Sequence, residues 1–154
     1  MVSTTDIHNA VAQVLKKKTG LKTYSNEVLE GFTRPCFFCK VSFDAVPANL
    51  HTDRILATVA LNYIPSGQKR VRDEKDGLQM LTLLRSIFRG SLKVGDRYLF
   101  IQRAEGDFAG ENYDIAVFTI TLDFFDEAVR VQEDTRPLEY VDFSNDIIMH
   151  IQKE

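Results

Sequence analysis

Cys36 and Cys39 are separated by two residues, the spacing of a redox pair or of half a zinc site. The segment around them alternates apolar and polar residues like a β-strand. In a strand the two Cα atoms would lie about 10 Å apart, whereas a disulfide requires roughly 7 Å or less. Zinc needs four ligands, and the sequence has no second Cys or His pair at metal-binding spacing. We therefore expect two structural thiols, with no metal and no cofactor.

The other side chains that could carry catalysis are scattered. The three histidines lie far apart in the sequence, without a Cys, Asp or Ser partner at catalytic spacing: His8, His51 and His150. Glu105, Gly106 and Asp107 lack the alternating ligands of a calcium loop, and a hairpin tip within an acidic loop, 105–111, is the favoured interpretation. No phosphate-binding glycine motif is present. The sequence thus predicts no catalytic, cofactor-binding or metal-ligating residue, and no enzyme.

A small basic cluster precedes the second predicted helix. Its members are Lys69, Arg70 and Arg72. A solvated loop is one interpretation. The other is contact with an acidic partner or with DNA phosphates, which makes these residues candidates for an interface.

Length and composition are those of one ordinary globular domain, 1–154. The chain has 154 residues, 44% hydrophobic and 27% charged, with a net charge of −3. The acidic balance disfavours DNA binding over the whole surface. No apolar run approaches the roughly 18 residues of a membrane span. The first residues lack the pattern of a secretory signal, so we expect a protein that stays in the cytoplasm where it is made, with reduced cysteines.

Hydrophobic periodicity predicts two helices. The first covers 5–18, with Thr4 or Thr5 as its cap and Gly20 as its stop. The second covers about 73–89. Four apolar side chains at helical spacing form its predicted buried stripe: Leu78, Leu81, Leu84 and Phe88.

Alternating apolar residues predict the main strands over 36–44, 54–64, 97–105 and 113–125. Long strands with one polar face are typical of an antiparallel sheet. The predicted class is α+β, with a single antiparallel or mixed sheet on which two main helices pack. The C-terminal tail, 130–154, could add a strand or a short helix.

The segment 24–38, YSNEVLEGFTRPCFF, resembles the phage tail terminator family of Gram-positive prophages and of contractile phage-tail-like bacteriocins. The matching residues are Glu27, Gly31, Phe32, Pro35, Cys36, Phe37 and Phe38. The first helix, the leucine-rich second helix and the long late strand also fit this family. The resemblance covers roughly residues 1–125 and implies a tail-terminator-like fold.

The resemblance also implies a structural role. Such a protein forms a homo-oligomeric ring, usually a hexamer, that caps the tail tube, docks to head–neck connector proteins and, in contractile tails, anchors the last ring of sheath protein. DNA would pass through the ring without sequence-specific binding, and no membrane is involved. The expected location is the tail of a virion or phage-like particle assembled in the host cytoplasm.

Two features of the chain bear on these contacts. Phe32 or Phe38 could pack on a neighbouring subunit, or could belong to a corner of the sheet with one Phe in the core. Sheath could attach by adding an extended segment to an exposed sheet edge, for which 21–29 and 138–143 are the candidates. The long strands are expected to fill the sheet centre.

Two other functions remain open from the residues alone. One is a small ferredoxin-like α+β domain that binds a ligand or regulates another protein. The other is an enzyme whose site the sequence does not reveal. A ring-former, a dimeric regulator and a protein with a polar pocket would differ in their mass in solution and in their cavities.

Overall fold

Two helices and six strands make up the described part of the chain. The computed structural model describes residues 1–25, 31–65, 74–110 and 115–128. In chain order the elements are α1 (Thr4–Thr19), β1 (Lys22–Ser25), β2 (Cys36–Asn49), β3 (Thr52–Ile64), α2 (Glu74–Ile87), β4 (Ser91–Val94), β5 (Arg97–Ala109) and β6 (Ile115–Glu127). The order of helices and strands differs from the βαββαβ order of a ferredoxin-like domain.

The strands form one mixed sheet in the order β1-β2-β3-β6-β5-β4. β1 pairs parallel to β2, and every other pairing is antiparallel. Helix α1 contacts β1 and β2 at one edge and β4 at the other, so the sheet curls around it. Ile7 of α1 and Leu84 of α2 belong to one buried cluster, which places both helices on the same inner face. The predicted α+β class is confirmed.

Helix α1 begins one residue earlier than predicted. Its N-cap is Ser3 rather than Thr4 or Thr5, because the Ser3 hydroxyl accepts from the Asp6 amide while the Asp6 carboxylate accepts from the Ser3 amide. Such a capping box satisfies two amides that the helix leaves free. Gly20 ends the helix at a φ of 75°, as predicted.

Helix α2 confirms most of its predicted stripe. Leu84 and Phe88 are buried and Leu81 is partly buried, whereas Leu78 is 53% exposed, which contradicts its assignment to the core. The preceding residue, Gly77, is the buried one at this point of the helix. A Cβ on Gly77 would lie 2.6 Å from Cε1 of Phe108, so the absence of a side chain lets the helix approach β5.

The strands keep the predicted alternation but extend further. Buried and half-buried residues alternate along β3 and β6. β5 runs to Ala109, so Glu105, Gly106 and Asp107 are exposed strand residues and not the tip of an acidic loop. That prediction was wrong because Gly106 and the acids suggested a turn, whereas pairing with β6 outweighs their low strand preference.

Two long strands are each partly an edge among the described residues: β5, of which β4 covers only Arg97–Phe100, and β2. β1 covers only Cys36–Cys39 of β2, so within the described residues nothing pairs with the outer side of β2 over 40–49. The three long strands predicted from alternation, β2, β3 and β6, are all internal in the strand order, as expected. β1 itself is an edge strand and falls within the predicted candidate 21–29, while 138–143 lies outside the described residues. Neither described helix is long and apolar enough to span a membrane.

Candidate functional site

The cysteines lie in β2, where both are buried and free. Because strand side chains alternate, residues three apart point to opposite faces of the sheet. Burial raises the pKa of the Cys39 thiol to about 12 and also raises the pKa of Cys36, which keeps both thiols uncharged at neutral pH. Among the described side chains, no group of three or more His, Cys, Asp or Glu could hold a metal ion. The strand geometry behind the thiol prediction is confirmed.

Phe32 and Phe38 lie together in an aromatic cluster with Tyr24. Their rings meet edge to face with centroids 5.1 Å apart, and the Tyr24 ring is 5.9 Å from that of Phe38. The Arg34 guanidinium lies 5.6 Å from the Phe32 ring centroid. Phe37 is fully buried on the inner face, so Phe38 points outward. The corner of the sheet thus has the predicted form, and contact of Phe32 or Phe38 with another subunit stays a prediction.

The basic cluster Lys69, Arg70 and Arg72 lies outside the described residues, and its proposed contact stays a prediction. The helix that follows is tied to the sheet near its start. The Tyr63 hydroxyl donates a hydrogen bond to Oδ2 of Asp76 at 3.1 Å.

Asp126 is the buried carboxylate that connects both ends of the described chain. It accepts from the Val2 amide at 2.7 Å, from the Glu127 amide at 2.9 Å and from Arg97 at 3.2 Å. Burial raises its pKa, but the hydrogen bonds from Val2 and Glu127 and the charges of the N-terminal amine and Arg97 outweigh burial and lower the pKa below its usual value. Asp126 is therefore an ionised anchor that holds the start of α1 against β6.

Asp123 has a cation of its own on the outer face. Arg54 donates to its two carboxylate oxygens at 3.0 and 2.6 Å, a bidentate geometry. The hydrogen bond from Arg54 lowers the pKa of Asp123. Both carboxylates are thus engaged in ion pairs with arginine, which suits positioning rather than proton transfer.

Three exposed aromatic side chains lie on the outer face beside this ion pair. Tyr98, Phe100 and Phe125 are 70%, 60% and 57% exposed. Phe100 of β5 is paired with Asp123 of β6. Tyr98 lies two residues before Phe100, and Phe125 lies two residues after Asp123. Because side chains two residues apart in a strand share a face, all three aromatic rings lie on the same face of the sheet. We call these residues the outer aromatic patch.

An apolar groove lies at the same end of the sheet on its inner face. It has a volume of about 300 Å³ between the start of α1 and strands β2, β3 and β6. We call it the inner groove, and its apolar lining comprises Val2, Ile7, Phe43, Ala45, Ile55 and Phe124. Asp53 and Glu127 also line it.

Sequence reasoning missed both surfaces, although part of the signal was present. Phe125 falls on the face that carries Thr119, Thr121 and Asp123, so period-two alternation alone places an aromatic ring outside. Tyr98 and Phe100 lie in the apolar run YLFI, where periodicity cannot say which residues face the core. The groove depends on the contact of α1 with distant strands and has no local signal.

The sequence matches the model of a family described as "Phage tail terminator protein" over residues 6–136. No match among curated proteins is found. One solved structure aligns over 86% of this chain and 100% of its own, with 14% sequence identity and a TM-score of 0.47.

Proposed function

Because the chain belongs to the phage tail terminator family, we propose that it forms the ring that caps a finished tail tube. The family is structural and not enzymatic, so the chain is a structural tail-assembly protein of a virion. The observation that carries the proposal is the family match over 6–136, which includes nearly all of α1 and every other described element.

The proposed partners follow from that position. One face of a homo-oligomeric ring, in this proposal a hexamer, meets the tube protein, and the other meets the head–neck connector. DNA passes through the lumen. An open stack grows by head-to-tail contacts that repeat. A terminator must therefore satisfy one half of that contact and withhold the other.

The tail length tests this role directly. The gene for this chain is deleted from a bacterium that produces the particle. The deletion strain then receives a vector that expresses the full chain or an empty vector. Electron micrographs are then scored for tail length and attached heads. We expect tails of abnormal length without heads when the protein is missing, and restored tails with the full chain. Normal headed tails in its absence would contradict the proposal.

In a contractile particle, of a Gram-positive prophage or bacteriocin, we propose that the last sheath ring attaches at the β1–β2 edge of the sheet. Support comes from the outer side of β2 over 40–49, with which no other described strand pairs, because unpaired backbone groups are a template for an added strand. Along β2, the backbone N–H groups of successive residues point alternately towards β3 and towards the unpaired side. Proline is tolerated where the N–H points to the unpaired side, whereas at the neighbouring residue it removes a hydrogen bond to β3.

Val41→Pro and Ser42→Pro form the matched pair for this test. Circular dichroism and thermal melts identify which variant retains the native fold, and that variant is the one whose amide points away from β3. We expect it to give tails of normal length whose last sheath ring is lost. A truncation after Arg136 tests the other candidate edge, 138–143, in the same particles. If the folded proline variant retains a fully anchored sheath, the β2 edge has no part in attachment.

A further inference from the structure

We propose that neighbouring subunits of the ring join by placing the outer aromatic patch of one copy in the inner groove of the next. The inference rests on the proposed function, because the partner it names is a second copy of this chain. It assigns the subunit contact to described residues that lie apart from the Phe32–Phe38 cluster and from the basic loop.

The position of the two surfaces fits a ring. The patch lies on the outer face of the sheet and the groove on its inner face, at the same end of the strands. One copy can therefore use both surfaces at once, with a different neighbour on each. Contacts between two unlike surfaces are head-to-tail, and they close into a ring when the rotation between copies permits. A two-fold dimer would instead use the same surface twice.

The two surfaces also match in size and character. A cavity of about 150 Å³ is known to accept benzene, so the groove of about 300 Å³ has room for an aromatic side chain. Monomeric proteins rarely leave large contiguous apolar areas exposed. Both Phe43 in the groove and Phe100 in the patch are more than half exposed in the single chain, and the proposed contact covers both.

Charge supports the same pairing. Three carboxylates line the groove: Asp53, Asp126 and Glu127. Asp126 is already paired with Arg97, and Glu127 follows Phe125 by two residues, on the outer face by alternation. Asp53 faces the groove and has no cationic partner within the described residues. Lys93 lies beside the patch with its Nζ 5.7 Å from the Tyr98 ring centroid. It likewise has no carboxylate partner in the part of the chain that the structure describes. A subunit contact that brings Lys93 towards Asp53 would pair charges that a single chain leaves apart.

Cross-linking tests the contact in the full-length protein. One cysteine is introduced in the patch and one in the groove, as Tyr98→Cys and Ala45→Cys; the native thiols are buried and should not react. A short bis-maleimide is applied to purified protein and to assembled particles. We expect a ladder of linked subunits for the double variant and for neither single variant alone. Monomer only, in both preparations, overturns the proposal.

Phe100→Asp in the double-variant background should abolish the ladder. The matched control is Leu83→Asp, an exposed apolar position on α2 that belongs to neither surface, and it should leave the ladder unchanged. Thermal melts of both proteins confirm that they are folded. Equal loss of cross-linking in the two variants would mean that the patch has no special role.

A charge exchange supplies a rescue. Lys93→Glu alone and Asp53→Lys alone should each weaken self-association at least about tenfold, because each places like charges in the contact. The chain with both substitutions should regain most of the loss. Absence of any rescue would contradict the pairing of these two charges.

The outcomes separate this contact from the proposed function. Normal tails with Phe100→Asp and no cross-linking overturn the interface while the capping role stands. If tails are normal when the protein is missing altogether, the capping role itself fails, whatever the cross-linking shows.

Discussion

Replacing Gly77 with alanine should destabilise the fold, contrary to the usual effect of this substitution in a helix. In an ordinary helix interior, Gly→Ala stabilises by about 1 kcal/mol. Here the added Cβ would lie 2.6 Å from Cε1 and 3.1 Å from Cζ of Phe108, and 3.7 Å from the Cβ of Ala116. The ring of Phe108, or the helix itself, has to move.

The magnitude is the difference of two opposing effects. Overpacking of this kind costs about 1–3 kcal/mol, from which the helix preference subtracts about 1 kcal/mol. We therefore expect Gly77→Ala to lower the free energy of unfolding by about 0–2 kcal/mol. In a Phe108→Leu background the ring is absent, and the same substitution should stabilise by up to about 1 kcal/mol. The sign of the effect thus depends on one neighbour.

A double-mutant cycle measures this dependence. Urea melts of the natural chain, both single variants and the double variant are followed by circular dichroism. The interaction between the two sites should be about 1–3 kcal/mol, the overpacking cost alone. If Gly77→Ala stabilises equally in both backgrounds, α2 does not approach β5 as closely as the structure shows.

Three further substitutions or treatments address stability and the thiols. Leu84→Ala should lower the free energy of unfolding by about 2–5 kcal/mol in denaturant melts, because the side chain is buried. Leu83→Ala changes an adjacent exposed side chain and should alter that free energy by no more than about 0.5 kcal/mol. Similar losses in the two variants would contradict the orientation of α2. The pKa of Asp126 is lower in the folded protein than in the unfolded chain. Its contribution to the stability of the fold is therefore complete above about pH 4 and is lost as the pH falls through the pKa of Asp126 in the folded protein. Asp126→Asn should therefore be less stable at pH 7, by a margin that narrows in acid melts; a constant margin would refute the ionic anchor. Cys36 and Cys39 should react with a thiol reagent only after unfolding, and rapid reaction of the native protein would show that they are accessible.

The fold could be predicted well where local patterns and packing agree. Periodicity located α1, α2 and the main strands because the curled sheet buries one face of each element. It failed where distant contacts decide. Leu78 has the spacing of the α2 stripe but is exposed, since close approach of the helix at Gly77 puts a glycine against β5. Likewise, the hairpin expected at Glu105 is replaced by a longer β5 because β6 pairs with it.

The site was less accessible from the sequence. The motif around Phe32 and Phe38 pointed to the correct family, yet motifs carry no information about which faces of the fold are left uncovered. The groove is built from α1 and strands distant in sequence. Asp126, the carboxylate that holds the start of α1, lies in the segment DFFDE, which gives no local sign of its partners. Such features appear only when the chain is folded.

In the proposed ring, folding and assembly use different parts of the same sheet. A sheet with helices on one face normally has a polar outer face, and β6 follows this rule at Thr119, Thr121 and Asp123 before it changes at Phe125. The change occurs at the end where the β2–β3 hairpin extends past β1, the same end at which Asp126 holds the start of α1 against β6. Both faces are therefore apolar where no element of the described chain covers them. Substitutions under α2 should accordingly change stability, whereas those at the exposed aromatic residues of the patch and groove, such as Phe100 and Phe43, should change assembly and leave the folded subunit intact.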